Sequence, residues 1–333
     1  MKFFLKKLFR GEILSRVEAC DAMTLIMKGG ANPEEIAGFL GAIAARGETS
    51  AELVGCVEAM RAQAVPFPVK RRDLIDVCGT GGDGANTFNV STTNALLLAA
   101  AGLGVVKHGN RAVSSQSGSA DLLEILNIAI DGSPDHLAEQ VDALGFAFLF
   151  APLFHPAMSN VSGVRKALGV RTLFNLLGPL ANPAPVTKQI IGVYEKRLVV
   201  LVAEALRDLG TARGLVVCGE DGLDEFSLSG SSFVADLDKG RITTYTVTPE
   251  DFGLTRAPVS AIQGGSSQEN ADITQAILSG KKGPSRDIVV MNAAAALVVS
   301  GHAKSWLEGT RIAGEVIDLG HASAKLKALQ RKV

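Results

Sequence analysis

The chain has 333 residues, of which 47% are hydrophobic, so it can bury a sizeable core as two domains or as one large α/β domain with an appendage. Its formal net charge of −1 argues against a general nucleic-acid binder, although a local basic pocket remains possible. The cysteines have neither zinc-site spacing nor a disulfide-dense pattern, which favours a reducing cytoplasm; they are Cys20, Cys56, Cys78 and Cys218.

The apolar segments favour a protein that does not enter a membrane. The longest apolar run, 95–106, is interrupted by Gly102 and Gly104 and is too short to span a bilayer. The N-terminus is basic and amphipathic, but charges interrupt its apolar residues, and Glu12 and Glu18 follow soon after. We therefore interpret it as the first helix of the fold and not as a targeting peptide.

Residues 1 to about 65 carry helical signals only. Ser15 precedes an acidic residue by three positions, which is a capping-box pattern, and Asn32-Pro33 is typical of a helix start. Thr49-Ser50 opens a further segment with apolar residues at helical spacing. Two prolines and a basic run over 66–72 indicate a linker that ends this small helical unit.

From residue 73 the sequence alternates between strand and helix patterns, which predicts a mostly parallel sheet with helices on its faces. The predicted strands are 74–78, 104–107, 146–150, 189–193, 214–218, 232–236 and 241–247. The predicted helices are 94–101, 120–126, 134–144, 197–209, 270–278 and 286–300, and a helical pattern over 158–177 interrupts the alternation. The expected fold class is α/β, with a small all-α part and a large part built on this sheet.

A glycine-rich segment links the first predicted strand to the first helix of the sheet region. Glycines stand at 79, 81, 82 and 84, and Ser91 or Thr92 is the expected N-cap. Glycines let backbone N–H groups crowd around an anion, and a helix N-terminus favours negative charge, so the segment predicts a phosphate site. A tight turn without a ligand is the alternative.

Two familiar nucleotide patterns do not fit this segment. The glycines match G-x-G-x-x-G, but no acidic residue occurs between Asp83 and Asp121 to hold a ribose as in a dinucleotide fold. No Gly-Lys-Ser/Thr closes the loop, which excludes a Walker motif.

Two further loops follow predicted strands, where open α/β sheets bind ligands. The first, 107–111, places Lys107, His108 and Asn110 around a glycine; a solvated basic turn is the alternative. The second, 114–121, offers hydroxyls and backbone N–H groups before a helix, which again suits a phosphate; an ordinary capped loop is the alternative.

Cationic and acidic residues complete the set of candidates. Arg165 could clamp a carboxylate through paired hydrogen bonds, although a surface ion pair is the commoner fate of a helix arginine. His155, before a proline, is by itself more often structural. Asp224 and Glu225 are adjacent hard carboxylates on a loop after a strand, and Mg²⁺ prefers one or two such ligands with waters and phosphate oxygens. A solvated turn is the alternative, but the two phosphate-type loops in the same sheet favour a metal site.

Taken together and in order, these segments resemble the anthranilate phosphoribosyltransferases, a family with the nucleoside phosphorylase-like fold. The matching motifs are 79–84, 88–92, 107–111, 117–121, 155–158, 171–183 and 221–225. The resemblance covers nearly the whole chain. It implies an all-α domain of 1–66 plus about 158–182, an α/β domain of 67–157 plus about 183–333, and a homodimer.

The resemblance also implies roles for individual residues. Binding of phosphoribosyl diphosphate falls to Gly79, Thr80, Gly81, Gly82, Asp83, Thr87, Asn89, Ser91, Thr92, Lys107 and Ser119. Binding of anthranilate falls to Gly79, His108, Asn110 and Arg165, and binding of two Mg²⁺ ions to Ser91, Asp224 and Glu225. The chain departs from the pattern at Gly163, Cys218 and Gln116, where Pro, His and often Lys are expected; Gly163 lies two residues before Arg165.

The implied reaction transfers the 5-phosphoribosyl group to the amine of anthranilate and releases pyrophosphate, a step of tryptophan biosynthesis in the cytoplasm. An aromatic amine is neutral near pH 7, so the reaction needs a positioned nucleophile more than a strong base, and no acid or base residue is assigned. One rival is a pyrimidine nucleoside phosphorylase, which has less reason for the acidic pair. Another is a noncatalytic nucleic-acid-binding relative, which the near-neutral charge and the intact pair Asp224-Glu225 disfavour.

Overall fold

A computed structural model describes residues 1–112 and 116–331 of the chain. The N-terminal part consists of four helices, which are α1 (Lys2–Leu8), α2 (Arg16–Met27), α3 (Pro33–Arg46) and α4 (Ser50–Ala62). The capping box of Ser15 and Glu18 is confirmed, and α3 and α4 begin with the same arrangement. Each cap contributes about 1 kcal/mol by satisfying N–H groups that have no partner within the helix.

The remainder alternates between strands and helices. The strands are β1 (Leu74–Gly79), β2 (Gly104–Gly109), β3 (Phe146–Phe150), β4 (Lys188–Gly192), β5 (Arg213–Gly219), β6 (Ser232–Asp238) and β7 (Arg241–Val247). The helices are α5 (Val90–Ala100), α6 (Ser119–Ile125), α7 (Pro134–Leu144), α8 (Ala151–Phe154), α9 (Ser159–Leu168), α10 (Phe174–Leu180), α11 (Arg197–Asp208), α12 (Ser267–Leu278), α13 (Pro284–Ser300), α14 (Trp306–Asp318) and α15 (His321–Leu329). Short 3-10 helices lie at Pro156–Met158, Pro249–Phe252 and Val259–Ile262.

All seven strands form one sheet in the order β3-β2-β1-β4-β5-β6-β7. The first five strands in this order are parallel, and β6 and β7 are antiparallel additions at one edge. The expected fold class is therefore confirmed: a small helical bundle accompanies a larger α/β part with a mostly parallel sheet. Because β1 has neighbours on both sides, the loop that follows it lies at the centre of the carboxyl edge.

Both faces of the sheet are covered, as a parallel sheet requires. Ile75 and Val77 of β1 pack into the apolar cluster that contains α5 and α13, whereas Leu74 and Cys78 point to the opposite side. On that opposite side α11 contacts both β5 and α4, and so connects the sheet to the helical bundle. The first helix after β1, α5, is buried along almost its whole length.

Two details of the sequence prediction were wrong. We expected Ser91 or Thr92 to cap a helix that starts at 94, but α5 starts at Val90, and its N-cap Asn89 makes no side-chain capping bond. The hydroxyls of Ser91 and Thr92 contact Lys107 and Ser119 instead, so they are not free to cap. The prediction also missed α14 and α15, although Ser305 caps α14 through the N–H of Glu308.

None of the helices within 1–112 and 116–331 is both long enough and apolar enough to cross a membrane.

Candidate active site

The loop after β1 is built on two glycines that let an acidic loop approach closely. Gly79, at the end of β1, pairs in register with Gly192, at the end of β4. A Cβ added to Gly79 would overlap with Oδ2 of Asp224, and a Cβ added to Gly192 would overlap with the backbone oxygen of Asp224. Any side chain at either position would therefore push the segment that carries Asp224 and Glu225 away from the carboxyl edge of the sheet.

The next glycines set the path of the loop itself. Gly81, Gly82 and Gly84 all have positive φ, at 68°, 79° and 73°, a region that L side chains rarely adopt. The Gly81 N–H donates a 2.7 Å hydrogen bond to Oδ2 of Asp224, which joins the glycine loop to the acidic loop across 143 residues of sequence. The two segments that the sequence analysis singled out separately thus form one structure.

The acidic loop is held rigidly from below. Asp221 accepts 2.6 Å hydrogen bonds from the hydroxyls of Ser227 and Ser229, and Asn292 of α13 accepts one from the Phe226 N–H at 3.2 Å. Glu225 is buried, and the backbone of Ser91 in the first turn of α5 favours its charged form and so opposes the rise of its pKa. The start of a helix favours negative charge in this way.

The carboxylates of Asp83, Asp224 and Glu225 lie near one another between the two loops. Burial and the charge of the neighbouring Asp83 raise the pKa of Asp224 to about 7, although the Gly81 N–H favours the charged form. Burial and the Asp224 charge raise the pKa of Glu225 well above its usual range. Within residues 1–112 and 116–331, Oδ2 of Asp83 is buried and has no hydrogen-bond partner. Like charges that are desolvated together call for a counter-cation.

These residues fit a magnesium site that the protein alone does not complete. Among the described residues, no three His, Cys, Asp or Glu side chains converge closely enough to hold a metal ion. Mg²⁺ takes only one or two carboxylates and fills its other positions with water and phosphate oxygens, so a pair of acids beside a phosphate-binding loop has the expected composition.

Lys107 lies behind this site on β2. Its side chain is 2% exposed, and its Nζ donates to the Val77 carbonyl at 2.7 Å and to the Ser91 hydroxyl at 3.2 Å. Burial raises the pKa of the nearby Asp76 carboxyl to about 6, and the Lys107 charge and a 2.8 Å hydrogen bond from Asn182 oppose that shift. A buried ammonium thus faces the start of α5.

Residues near the start of α5 connect to the loop before α6. Thr92 donates a 2.9 Å hydrogen bond to the Ser119 hydroxyl, and the Asn89 amide donates one of 3.1 Å to the Ser117 carbonyl. Thr87 forms an isolated bridge with Gln263. Ser114 and Ser115 of the predicted phosphate loop lie outside the described residues.

The sequence analysis missed one contributor to this side of the site. Asn270 of α12 donates to Oδ1 of Asn89 at 2.9 Å and accepts from the Gly265 N–H at the same distance. It is 2% exposed although it follows a solvent-facing capping box at Ser266 and Glu269. An amide directly after a capping box, at an inward-facing position, was the available signal.

A different environment surrounds His108, which follows Lys107 on β2. Nδ1 of His108 lies 3.1 Å from the Gly178 carbonyl, whereas Nε2 is buried and has no partner among the described residues. Burial and the adjacent His155, whose ring centre is 5.1 Å away, lower the pKa of His108 to about 3. The ring is therefore neutral; with its proton on Nδ1, it presents a lone pair on Nε2 to a ligand.

Arg165 is the second polar group on this side that has no partner in the part of the chain that the structure describes. It lies in the last turn of α9, half-buried, with its Cζ 5.1 Å from the centre of the Phe174 ring. Among the described residues its guanidinium forms no ion pair and no hydrogen bond, and burial lowers its pKa. The ion-pair alternative from the sequence analysis therefore does not apply within these residues, and the fork remains open to a carboxylate. Asn110 is exposed and accepts a 2.8 Å hydrogen bond from the Arg111 N–H.

Arg171 is the first residue of the matching motif 171–183, to which the resemblance assigned no binding role. In the structure it lies against the glycine loop. Its guanidinium lies over the Tyr194 ring at 4.1 Å from the centroid and donates a hydrogen bond to the Gly82 carbonyl. One of its nitrogens is 3.9 Å from the Glu195 carboxylate. The sequence offered no signal for this contact, which spans 89 positions.

Two family models match the chain. Residues 2–64 match the helical bundle domain of the glycosyl transferase family, and residues 71–323 match the a/b domain of that family. The chain is 49% identical over 329 residues to the anthranilate phosphoribosyltransferase of Moorella thermoacetica. The aligned region covers 99% of this chain and 97% of that relative. It is also 49% identical to that of Methanosarcina acetivorans, with 98% and 88% of the two chains covered.

Solved structures agree with these matches. The anthranilate phosphoribosyltransferase of Thermus thermophilus superposes with a TM-score of 0.93 at 46% identity, and 98% of each chain is covered. The Saccharomyces cerevisiae enzyme, in complex with PRPP and Mg, gives 0.89 at 32% identity over 98% of this chain and 95% of the other.

The helical bundle, the α/β part and the phosphate-type loops define a glycosyl transferase of two domains. Within that class, the chain belongs to the anthranilate phosphoribosyltransferases.

Proposed function

We propose that this chain transfers the 5-phosphoribosyl group of phosphoribosyl diphosphate to the amine of anthranilate. The new bond joins the amine nitrogen to the anomeric carbon of the ribose, and the bond from that carbon to the pyrophosphate oxygen breaks. The observation that carries the proposal is the junction of the glycine loop with the acidic loop through Gly81 and Asp224. At that junction, backbone N–H groups that suit a diphosphate lie beside carboxylates that suit its counter-ion.

On the donor side, we propose that the phosphoribosyl diphosphate is held by the residues that the resemblance implies. They are Gly79, Thr80, Gly81, Gly82, Asp83, Thr87, Asn89, Ser91, Thr92, Lys107 and Ser119. Support comes from the hydrogen bonds that join Lys107 to Ser91 and Thr92 to Ser119 around the start of one helix. The N–H groups at the start of α5 and the buried Lys107 ammonium both attract phosphate oxygens.

We propose two Mg²⁺ ions per site, held by Ser91, Asp224 and Glu225. The yeast relative has been solved with PRPP and Mg, which supports magnesium. When bound, Mg²⁺ would offset the negative charge that develops on the leaving pyrophosphate. The two carboxylates would hold the ions, and the N–H groups of the glycine loop would orient the diphosphate. The neutral His108 adds no competing charge.

On the acceptor side, we propose that Gly79, His108, Asn110 and Arg165 bind anthranilate. The unpaired Arg165 fork suits its carboxylate, and the free Nε2 of His108 can accept a hydrogen bond from its amine. The yeast relative has also been solved with 4-fluoroanthranilate. A His108 with a pKa of about 3 is a weak base, which agrees with a reaction that depends on holding a neutral amine against an electrophilic carbon.

The proposal is tested by mixing the protein with anthranilate, phosphoribosyl diphosphate and Mg²⁺ and following anthranilate fluorescence. We expect a time-dependent loss of signal that requires all three additions. A parallel assay with a pyrimidine nucleoside and inorganic phosphate covers the phosphorylase alternative. Release of free base there, without loss of fluorescence in the first assay, would replace the proposed function with that alternative.

We further propose that the chain forms a homodimer in the cytoplasm. Large apolar side chains near the N-terminus are exposed, at 61% for Phe3, 69% for Phe9 and 68% for Val17, and a second copy would cover them. The four free cysteines fit a reducing compartment. Light scattering at micromolar concentration tests the dimer, with Phe3→Ser/Phe9→Ser as the variant expected to dissociate.

We also propose that the all-α domain comprises 1–66 plus about 158–182 and the α/β domain 67–157 plus about 183–333. Asn160 of α9 donates a 2.8 Å hydrogen bond to the Met27 carbonyl, and Arg61 of α4 donates to the Leu180 carbonyl at 2.6 Å. These bonds attach α9 and α10 to the first four helices.

A further inference from the structure

The glycine loop is flexible by composition and needs tethers to keep one shape. Three of its residues, Gly81, Gly82 and Gly84, are glycines with positive φ. Because glycine has few steric restrictions, such a loop can adopt many backbone conformations unless other contacts restrain it. Within the described residues, three hydrogen bonds join 80–84 to distant parts of the chain. Thr80 N–H donates to the Gly192 carbonyl at 2.9 Å, Gly81 N–H donates to Asp224, and the Gly82 carbonyl accepts from Arg171.

These tethers differ in what binding of the donor substrate would do to them. Asp224 is a proposed magnesium ligand, so its carboxylate is shared between the loop and the metal. The Thr80 contact fixes only the first residue after β1. Among the residues that the structure describes, Arg171 is the one whose side chain bonds to Gly82 in the middle of the loop, and it has no proposed part in metal binding.

The geometry points to Arg171 as a positioning residue that holds the glycine loop in its diphosphate-binding shape, an inference that rests on the proposed function. The planar guanidinium lies over the buried Tyr194 ring, which fixes its plane, while its N–H bond to Gly82 fixes the loop. A Cβ on Gly82 would lie 3.2 Å from Nε of Arg171, so the two residues are already packed against each other.

The location of Arg171 gives the contact a second consequence. It stands between α9, which carries the acceptor-side Arg165, and α10, whose Gly178 carbonyl contacts His108. The same short segment therefore contacts the donor loop and connects the elements of the acceptor side. Loss of the tether should weaken donor binding while leaving the acceptor residues in place.

The experiment compares Arg171→Ala and Arg171→Lys with Arg197→Ala. Arg197 is a matched control because it also pairs with Glu195, at 2.6 Å, but does not touch the loop. In Arg171→Ala we expect the KM for phosphoribosyl diphosphate to rise about tenfold and that for anthranilate to change less than about twofold. Arg171→Lys keeps the charge without the planar fork and should lie between wild type and Arg171→Ala. Arg197→Ala should match wild type in both constants.

Hydrogen exchange of the protein without substrates gives a readout that does not depend on the reaction. In Arg171→Ala the amides of 80–85 should exchange at least about fivefold faster, with no change in the peptides of α5 or α13. Wild-type exchange in this loop, or an unchanged KM for phosphoribosyl diphosphate, would overturn the inference. Full recovery of that KM in Arg171→Lys, with unaltered exchange in Arg171→Ala, would show that charge alone matters. If the wild-type protein transfers no phosphoribosyl group, the proposed function fails and the exchange data alone decide the role of Arg171.

Discussion

The donor side and the acceptor side of the candidate site are built in opposite ways. Around the glycine loop, most of the polar groups described above bind one another, namely Gly81 with Asp224, Ser91 with Lys107, and Thr92 with Ser119, and Oδ2 of Asp83 is an exception. On the acceptor side, Nε2 of His108 and the Arg165 guanidinium are left without protein partners among the described residues. The groups that would bind the diphosphate are therefore already held in place by hydrogen bonds within the protein. The groups that would bind anthranilate gain their hydrogen bonds only when that ligand is present.

This contrast follows from the chemistry of the two ligands. A diphosphate brings several charges and a flexible chain, so a rigid set of donors reduces the ordering cost of binding. Anthranilate brings one carboxylate and one amine on a flat ring, and selectivity for it arises when buried polar groups remain unpaired without it. The following changes test each half of the contrast.

The largest effect is expected at the acidic loop. Asp224→Asn with Glu225→Gln should lower turnover about a thousandfold, because the leaving pyrophosphate loses several kcal/mol of charge stabilisation. Steady-state rates over a magnesium titration measure this. The control is Glu220→Gln, since Glu220 is an exposed acid on the same loop that contacts only its neighbours around Ser231. Turnover near wild type in the double variant would remove the acidic loop from the mechanism.

On the acceptor side, Arg165→Ala should lower kcat/KM for anthranilate about a hundredfold, or roughly 3 kcal/mol, the range for losing one partner of a charge-assisted hydrogen-bonded pair. Calorimetric binding of phosphoribosyl diphosphate should be almost unchanged. Lys166→Ala, an exposed neighbour on the same helix, is the control. If anthranilate kinetics survive in Arg165→Ala, the carboxylate is read elsewhere, with Asn110 and His108 as the next candidates.

The sequence predicted the donor side better than the acceptor side, for a physical reason. The glycine loop and the acidic loop each carry their chemistry in a few consecutive residues, and both follow strands whose carboxyl ends share one edge of the sheet. All seven strands were located, because period-two and continuous apolar patterns mark them. In contrast, the packing of Arg171 on Gly82 and of Asn270 on Asn89 joins residues 89 and 181 positions apart, and no local pattern encodes such pairs.

The caps of α5 show a similar limit. Ser91 and Thr92 are good capping residues by type, but tertiary partners in β2 and α6 engage their hydroxyls. Local propensity therefore predicted that this helix exists but placed its start at 94, whereas the helix begins at Val90.

The neutral state of His108 can be tested through stability against pH. The unfolded chain takes up a proton at this residue near its ordinary pKa of 6.5, whereas the folded chain does so only near 3. Below pH 6.5 the unfolded state thus binds more protons, and stability falls as the pH decreases, by about 2 kcal/mol at pH 5 from this residue. Burial is the main cause of this lowered pKa, and the charges of His155, Lys107 and Arg61 act in the same direction.

Denaturant unfolding at pH 7.5 and pH 5 measures this loss. In His108→Gln the decrease between the two pH values should be smaller than in wild type by about that amount. His302→Gln, at an exposed histidine, should decrease as wild type does. Equal decreases in His108→Gln and wild type would mean that the folded protein takes up a proton at His108 as readily as the unfolded chain does, which would contradict the lowered pKa.

The smallest expected effect separates backbone strain from packing in the donor loop. Gly82 and Gly84 have nearly the same φ, 79° and 73°, so alanine should strain both backbones alike. Only at Gly82 does the added Cβ meet a neighbour, Nε of Arg171 at 3.2 Å, whereas none lies within 4 Å at Gly84. Gly82→Ala should raise the KM for phosphoribosyl diphosphate about tenfold, and Gly84→Ala should raise it less. Equal increases would assign the whole effect to strain, while equal effects on the KM for both substrates, with intact thermal melts, would contradict a donor-specific loop. A larger effect at Gly82 indicates that the frame around the diphosphate depends on its side-chain tether as well as on its glycines.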